Sequence, residues 1–217
     1  IEEILDNFIE THGVSCSKIS LGIAGVIGER ESRVTNLPWK ISTDALRGMG
    51  FSAVSMINDM TAVAASLPLL VKEDLFCLQG GAGSDESLKA ILAPGTGLGE
   101  GFLLHTGTHW HPRGTEGGHS DFAPVDEEQR ELLAWLTAKS ETQVSAEMVC
   151  AGPAISRLYD FYRGQGMKGS TELASRLLSV DDRTPLIVEG AVTESCKVCV
   201  KTLDLFLRLL GREGANL

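Results

Sequence analysis

Ile91-Leu-Ala-Pro-Gly-Thr-Gly-Leu-Gly-Glu100 is the most informative stretch of the chain, because in it an apolar strand leads directly into a glycine-rich turn. This glycine turn, Gly95–Gly99, leaves backbone amides uncovered around one hydroxyl, that of Thr96. Amides of this kind, together with a side-chain donor, form a seat for a phosphate group. A phosphorylated ligand is therefore predicted to contact Gly95, Thr96, Gly97 and Gly99.

A first polar cluster, Asn58 and Asp59, follows an apolar segment with the composition of a buried parallel strand, Ser52–Ile57. Ligands of open α/β sheets bind at the carboxyl ends of such strands, so Asp59 is suited to accept a proton from a hydroxyl. Asp59 is equally suited to cap a helix that begins at Met60. Asn58 beside it favours a ligand, and both interpretations stay open.

A second polar cluster, Glu116-Gly-Gly-His119, carries a carboxylate and an imidazole on a glycine-rich loop. Both groups form hydrogen bonds with hydroxyls, and the mixture suits a polyol such as a sugar. The alternative is an ordinary turn whose Glu116 and His119 are solvated. Glu147 is a further candidate, although a glutamate near the start of a helix capped by Ser145 also complements the helix dipole.

Composition restricts the partners of the protein. The 217 residues carry a formal net charge of -10, which disfavours nucleic acids and anionic membrane surfaces. No apolar run approaches the roughly 20 residues that a transmembrane helix needs. The cysteines number 5, an odd count, and lie scattered in hydrophobic segments, which predicts reduced thiols and a cytoplasmic location.

Two short motifs raise the question of a metal. His109-Trp-His111 carries two imidazoles on alternate residues, which is typical either of a zinc-binding strand or of an exposed loop. Cys196-Lys-Val-Cys199 has a metal-like spacing but lies in a helical pattern without a second pair, which favours two buried helix positions. We therefore predict no metal site built from the protein alone.

The apolar pattern predicts an α/β protein in two parts. Strands are predicted over Lys18–Ala24, Ser32–Thr35, Ser52–Ile57, Leu75–Leu78, Leu88–Leu92 and Phe102–His105. Helices are predicted from Ile1 to Ile9, from a cap at Ser42 or Thr43, over Met60–Leu70, Glu127–Thr137, Pro153–Tyr162 and Thr171–Leu178, and from Thr184 to Leu210 as one long helix. A flexible turn is predicted over Gln79–Asp85, with Gly80–Gly83 as a hairpin loop. The shift from sheet to helix predicts a smaller α/β domain, 1–108, and a helix-rich larger domain, 109–217.

Seven segments carry motifs that occur together in known proteins: Ser20–Gly25, Thr35–Trp39, Ile57–Val63, Leu92–Gly99, Gly114–Pro124, Val144–Glu147 and Leu210–Arg212. In this order they resemble the bacterial glucokinases of the actin-like ATPase superfamily, and the resemblance covers nearly the whole chain. It implies a ribonuclease-H-like α/β kinase fold with two domains, the larger rich in helices. It also implies phosphorylation of glucose at its 6-hydroxyl by ATP, the first step of glycolysis, with Mg²⁺ arriving with ATP, and a homodimer.

The resemblance implies a role for each candidate residue. Asp59 would be the general base that takes the proton of the 6-hydroxyl as this hydroxyl attacks the γ-phosphate of ATP. The other hydroxyls of glucose would be bound by Asn58, Glu116, His119 and Glu147. The glycine turn with Thr96 would contact the phosphoryl group in transfer. Two alternatives stay open: a kinase for mannose or another hexose, and a non-catalytic sugar sensor.

The sequence departs from the glucokinase pattern at both ends. In that family an Asp-Gly-Gly-Gly-Thr-like phosphate segment precedes the matched part, and an adenosine-binding segment follows it; neither motif occurs in the sequence. We therefore expect the 217 residues to be an internal part of a longer protein and to bind glucose better than ATP. The cysteine-rich zinc motif of the related repressor and open-reading-frame kinase family is also missing, so the resemblance implies no structural metal.

Overall fold

The computed structural model of the protein describes residues 1–35, 37–81, 88–169 and 171–217. Internal contacts divide the chain into two compact units. The first unit comprises Ile1–Ile91 and Gly101–Thr115, and the second comprises Leu92–Glu100 and Glu116–Leu217. The domain limits that composition predicts, 1–108 and 109–217, stay a prediction.

The first unit contains most of the strands. Its elements are α1, Glu2–His12; β1, Lys18–Ile23; β2, Gly25–Val26; β3, Glu31–Val34; β4, Lys40–Ser42; α2, Thr43–Gly48; β5, Ala53–Asn58; α3, Asp59–Ser66; and β8, Trp110–Thr115. Two strands belong partly to each unit: β6, Lys89–Pro94, and β7, Leu98–His105. β1 and β5 are parallel, with Ile23 opposite Asn58. Two further sheets have the orders β2-β3-β4 and β6-β7-β8.

A small apolar core holds the first unit together. Its buried side chains are Ile23, Ile41, Leu46 and Phe51. The partly buried Leu5 and Ile9 of α1, and Ile1 at its N-cap, pack against them. Helix α2 begins where the sequence predicts it, because Ser42 Oγ accepts a hydrogen bond from Ala45 N over 3.3 Å. The parallel pairing of β1 and β5 brings the carboxyl ends of both strands to one edge, where Asn58 lies.

The second unit is built mainly of helices. They are α4, Glu127–Thr137; α5, Glu147–Cys150; α6, Gly152–Gly164; α7, Thr171–Leu177; α8, Thr184–Val192; and α9, Lys197–Asn216. Four of these helices each bury a side chain completely in a shared core: Leu132, Leu158, Ile187 and Leu205. The helices predicted over Glu127–Thr137, Pro153–Tyr162 and Thr171–Leu178 are confirmed.

One carboxylate ties α4 to α6 and α9. Glu128 accepts hydrogen bonds from Tyr162 Oη over 2.7 Å and from Arg208 Nη2 over 2.6 Å, and Lys201 Nζ lies 3.1 Å from it. Burial by itself raises the pKa of Glu128, but the three donors outweigh burial and lower the pKa to about 2. The charged form of Glu128 therefore stabilises the packing of these helices.

The single long helix predicted from Thr184 to Leu210 is wrong, because α8 and α9 are separate. Between them Glu194 has a φ of 54°, in the left-handed region that ends helices. Neither glycine nor proline marks this break in the sequence, whose apolar stripe continues across both helices. Even α9, with 20 residues, is not apolar enough to cross a membrane, and none of the described helices is.

Two predictions around α3 are also wrong. No strand forms over Leu75–Leu78; Phe76 and Leu78 are 87% and 92% exposed, so this apolar run is not packed. The helix predicted as buried over Met60–Leu70 ends at Ser66 and continues as a 3₁₀ turn, Leu67–Leu69. Proline at position 68 lacks the N–H that a continuing helix requires, and within α3 only Ala64 is fully buried.

Three predictions lie partly outside the described residues. The structure does not describe residues 82–87, which include part of the turn predicted over Gln79–Asp85 and part of the hairpin loop predicted over Gly80–Gly83. Position 36 interrupts the segment Thr35–Trp39 in the same way.

Candidate functional site

The junction of β5 and α3 carries the first pair of candidate residues. Asn58 Oδ1 accepts hydrogen bonds from the backbone amides of Met60, over 2.9 Å, and Thr61, over 3.2 Å. The first amides of a helix lack partners within the helix, so Asn58 is the N-cap of α3. The interpretation of Asp59 as the cap is therefore wrong.

Asp59 is the first residue of α3, and its side chain is exposed. Its Oδ1 lies 2.9 Å from the amide of Met60, which Asn58 already caps. The amide-rich start of a helix favours a negative charge at this position. The junction thus presents an accessible carboxylate on a helix whose start is fixed by the neighbouring residue.

Strand β8 packs closely on this junction, which the sequence did not reveal. The amide of Gly114 donates a hydrogen bond to Thr61 Oγ1 over 3.0 Å. A Cβ atom at Gly114 would collide with Asn58 Oδ1 and would lie 3.2 Å from Met60 Cβ. Gly114 lies in one of the seven segments, and that membership was the one available signal. Glycine is required at position 114 because the backbone of β8 contacts the cap of α3.

Three hydrogen bonds between described residues help to hold the glycine turn in the second unit. Gly95 N donates to Gly97 O over 2.8 Å, and Gly152 N, at the start of α6, donates to Gly95 O over 2.7 Å. Leu98 N donates to Glu147 Oε2, at the start of α5, over 2.9 Å. Leu98 N and Gly95 N are thus already used inside the protein, whereas the side chain of Thr96 is exposed.

Glycines allow three neighbouring segments to reach this turn. A Cβ at Gly97 would lie 2.6 Å from Glu147 Oε2, and one at Gly152 would lie 2.9 Å from Gly95 O. A Cβ at Gly118 would collide with Leu98 O. The sequence explained Gly97 by the approach of a phosphate, but its closest neighbour in the structure is the carboxylate of Glu147.

Antiparallel backbone pairing brings the loop after β8 to the start of α5. Asp121 and Ser145 form a β-bridge, and Ala146 N donates to Ser120 O over 2.9 Å. Glu147 is the first residue of α5, and Ala146 is its N-cap without a side-chain bond. The predicted cap at Ser145 is therefore wrong, because that residue pairs with Asp121 instead.

Glu116 directly precedes a 3₁₀ turn, Gly117–His119, and His119 is the last residue of this turn. His119 Nε2 is 3.7 Å from Glu116 Oε2, and their side chains are 61% and 84% exposed. The backbone is nevertheless anchored, because Gln143 Nε2 donates to His119 O over 3.1 Å. Within the second unit, Gly118 of this loop packs against Leu98 of the glycine turn, and Leu98 N is bonded to Glu147. The loop, the turn and Glu147 therefore lie together. Asn58 and Asp59 belong to the first unit.

A buried glutamate next to the glycine turn escaped the sequence interpretation. Glu100, on β7, is only 2% exposed. Burial raises the pKa of Glu100, and the nearby carboxylate of Glu213 raises it further. Burial, followed by the charges of Glu213 and Glu100, also raises the pKa of the Cys150 thiol to about 12. Burial is thus the main cause that raises both pKa values, that of the Glu100 carboxyl and that of the Cys150 thiol.

The residues that raised the question of a metal have other partners. His109 Nδ1 lies 2.8 Å from Thr108 Oγ1, and His111 Nε2 lies 3.0 Å from Thr106 Oγ1. Cys196 and Cys199 are buried, and burial is the main cause that raises the pKa of Cys199 to about 12. Within the part of the chain that the structure describes, no three His, Cys, Asp or Glu side chains are grouped to hold a metal ion.

Comparison with family models and with curated proteins identifies the glucokinase family. The model of the glucokinase family matches residues 1–217. The glucokinase of Salmonella typhi is 35% identical over 218 residues, which cover 100% of this chain and 65% of that protein. The glucokinase of Salmonella newport gives the same identity and coverage. The chain thus spans 65% of the length of the curated relatives it matches.

Two solved structures have the same fold. The glucokinase from an Antarctic psychrotroph superposes with a TM-score of 0.77 at 28% identity, covering 97% of this chain and 63% of that one. The Balamuthia mandrillaris glucokinase, in complex with glucose, gives a TM-score of 0.78 at 23% identity, covering 100% and 64%. The predicted α/β fold of the actin-like, ribonuclease-H-like kinases is confirmed by this likeness.

Proposed function

Because the chain belongs to the glucokinase family, we propose that the full-length protein phosphorylates glucose at the 6-hydroxyl, with ATP as the phosphoryl donor. The observation that carries this proposal is the exposed carboxylate of Asp59 at the start of α3. A kinase for a sugar needs such an acceptor, because the attacking hydroxyl must lose its proton. Because Asn58 caps the helix in place of Asp59, the carboxylate of Asp59 is not needed for the cap, which supports its role as the acceptor.

In the proposed reaction Asp59 accepts the proton of the 6-hydroxyl. The hydroxyl oxygen forms a bond to the γ-phosphorus, and the bond from this phosphorus to the bridging oxygen of ADP breaks. The products are glucose 6-phosphate and ADP, and the proton remains on Asp59 until solvent removes it. Fixed positions of base and hydroxyl contribute most in phosphoryl transfer, because little covalent chemistry is left to the protein.

The remaining hydroxyls of glucose are assigned to Asn58, Glu116, His119 and Glu147. Asn58 Oδ1 is engaged in the helix cap, so the side chain offers its Nδ2 as a donor. Glu147 Oε2 is engaged by Leu98 N, so Oε1 remains to accept from a hydroxyl. Glu116 and His119 are exposed, and their mixed donors and acceptors suit a polyol.

The phosphate contacts are assigned to the glycine turn, Gly95, Thr96, Gly97 and Gly99. The exposed hydroxyl of Thr96 is the side-chain donor. The amides of Gly95 and Leu98 already donate within the protein, so the amides of Thr96 and Gly97 carry the proposed contact. Mg²⁺, bound with the nucleotide, would neutralise charge on the phosphates. It would arrive with ATP, as the family resemblance implies.

The proposal also includes the cellular compartment and the oligomeric state of the protein. We assign the protein to the cytoplasm, where ATP is available and where reducing conditions keep cysteines as thiols. The family resemblance supports a homodimer. Sedimentation of the full-length protein tests this assembly, and a sedimenting monomer at working concentration contradicts it.

A coupled assay of ADP release on the full-length gene product tests the proposed function. Glucose is expected to be the preferred acceptor, with mannose and other hexoses tested in parallel. If glucose raises the melting temperature but no ADP is released, the protein is a sugar sensor. If mannose gives the higher kcat/KM, the substrate assignment changes while the chemistry stays the same.

A further inference from the structure

We propose that Glu147 couples the sugar to the nucleotide, because one of its carboxylate oxygens fixes the glycine turn while the other binds a sugar hydroxyl. This inference rests on the proposed function and deepens it. It gives Glu147 a positioning role toward the phosphate contacts, in addition to its assigned contact with the sugar.

The bond between Glu147 and the turn is specific. Leu98 N lies 2.9 Å from Glu147 Oε2, and the two residues are 49 positions apart in the chain. Gly97 is shaped to this bond, since a Cβ there would lie 2.6 Å from the same oxygen. The turn therefore accommodates the carboxylate on two successive residues, through an amide donor and through the absence of a side chain.

The other contacts that hold the turn join backbone to backbone. Gly152 N donates to Gly95 O, Gly95 N donates to Gly97 O, and Gly118 packs against Leu98. These three contacts involve no polar side-chain group that a ligand could bind. The carboxylate of Glu147 differs, because its orientation depends on what both of its oxygens bind.

A carboxylate accepts several hydrogen bonds, so an amide and a hydroxyl can be bound at the same time. A sugar hydroxyl on Oε1 restricts rotation of the carboxylate and so keeps Oε2 on Leu98 N. The turn is then fixed before a phosphate arrives, and less ordering remains to be done on nucleotide binding. By linkage, a bound nucleotide must tighten sugar binding by the same factor.

The first experiment measures that factor on the full-length gene product by calorimetry. The Kd of glucose is measured with and without an ATP analogue whose β–γ bridge is nitrogen, so that no phosphoryl group is transferred. The analogue is expected to tighten glucose about fivefold or more in the unchanged protein, in the usual range of coupling between sites. In Glu147→Ala this ratio falls to about one, because the link is removed.

Substitution by glutamine separates the two roles of Glu147. In Glu147→Gln the amide oxygen of the side chain still accepts a hydrogen bond from Leu98 N. The KM for ATP and the coupling ratio are therefore expected to be close to those of the unchanged protein, unlike those of Glu147→Ala. Glucose binding stays weakened, because the charge of the carboxylate is lost. Gly97→Ala keeps Glu147 but its added Cβ pushes the carboxylate away from the turn, so this variant loses coupling as Glu147→Ala does. Glu141→Gln, the same change of charge at an exposed position of the same unit, is the matched control and keeps the coupling.

A second measurement reads the bond without activity. Hydrogen exchange of a peptide covering Gly95–Gly99 is expected to speed up in Glu147→Ala, to stay slow in Glu147→Gln, and to slow further when glucose is added to the unchanged protein. Equal exchange in Glu147→Ala and the unchanged protein overturns the inference, as does an unchanged coupling ratio. Absence of ADP release with glucose contradicts the proposed function instead, and the exchange data remain decisive for the bond.

Discussion

Two places where a strand ends, one in each unit, meet the same requirement in different ways. At the end of β5 the backbone amides of Met60 and Thr61 donate hydrogen bonds to the side chain of Asn58, two and three residues before them. At the end of β6 the glycine turn has its Leu98 amide accepted by Glu147, 49 residues away. Bare backbone amides need partners in both cases. One partner is local in sequence, and the other exists only in the folded chain.

The difference affects what each site residue is able to do. In the first unit the cap belongs to Asn58, so the carboxylate of Asp59 is not needed to hold the helix start. In the second unit the acceptor is itself one of the candidate sugar ligands, Glu147. Changes at Asp59 should therefore affect chemistry with little effect on folding, whereas changes at Glu147 should affect binding and local order together.

The largest expected effect is that of Asp59→Asn. This change keeps the size of the side chain and removes the proton acceptor, so kcat should fall about 10²- to 10⁴-fold, the usual contribution of a general base. Glucose affinity and the melting temperature should change little, because Asn58 still caps α3. Steady-state kinetics with the full-length protein measure kcat and the KM for glucose, and thermal unfolding measures the melting temperature. Near-normal turnover in this variant would show that another group takes the proton.

Gly114→Ala tests how closely β8 approaches the cap. The added Cβ collides with Asn58 Oδ1, so the variant is expected to lose about 1–3 kcal/mol of unfolding free energy. Gly48→Ala, in the same unit, is the matched control, because a Cβ there meets no atom within 4 Å. Urea unfolding of both variants gives the comparison. Equal free energies of unfolding would mean that β8 moves away from the cap without cost.

Asn58 itself separates capping from sugar binding. Aspartate and asparagine are about equally good N-caps, so Asn58→Asp should keep the stability that Asn58→Ala loses, about 1 kcal/mol. The same Asn58→Asp change removes the Nδ2 donor, and glucose affinity should fall about tenfold because a hydroxyl loses its partner. Calorimetry and thermal unfolding measure the two effects on the same samples. If glucose affinity is unchanged, Asn58 serves as a cap alone.

The comparison also explains which features the sequence predicts. Elements with local signals were found: α4 has the predicted bounds, and Asp126 caps it by accepting from Gln129 N over 2.8 Å. The break at Glu194 has no such signal, and the apolar run Leu75–Leu78 has the composition of a strand without the neighbours that would bury it. Local chemistry is readable from a sequence, whereas partners and burial depend on the rest of the chain.

The candidate site shows the same limit at the level of single residues. The immediate neighbours of Asp59 and Thr96 predict that both residues bind a ligand, and the structure leaves both side chains exposed. The bond from Leu98 to Glu147 and the contact of Gly114 with the cap join residues about a quarter of the chain apart, with no periodic pattern to indicate them. The burial of Glu100 was hidden for a related reason, because a glutamate in a strand is ordinarily exposed.

Glu100 and Glu128 provide the smallest expected effects, with opposite signs. Burial and then the charge of Glu213 raise the pKa of Glu100 above its ordinary value of 4.5, so its contribution to stability is complete below that pH and is lost as pH rises through the raised pKa. Glu100→Gln should therefore be more stable than the unchanged protein at pH 7 and nearly equal to it at acid pH. The hydrogen-bonded Glu128 has its pKa lowered to about 2, so its stabilisation is present above about 4.5 and is lost as pH falls. Glu128→Gln should thus be less stable at pH 7 and should approach the unchanged protein as pH falls toward about 2. Thermal unfolding of both variants from pH 2 to 8 measures the contrast, and curves that run parallel to that of the unchanged protein over this range would show that neither carboxyl shifts its pKa on folding.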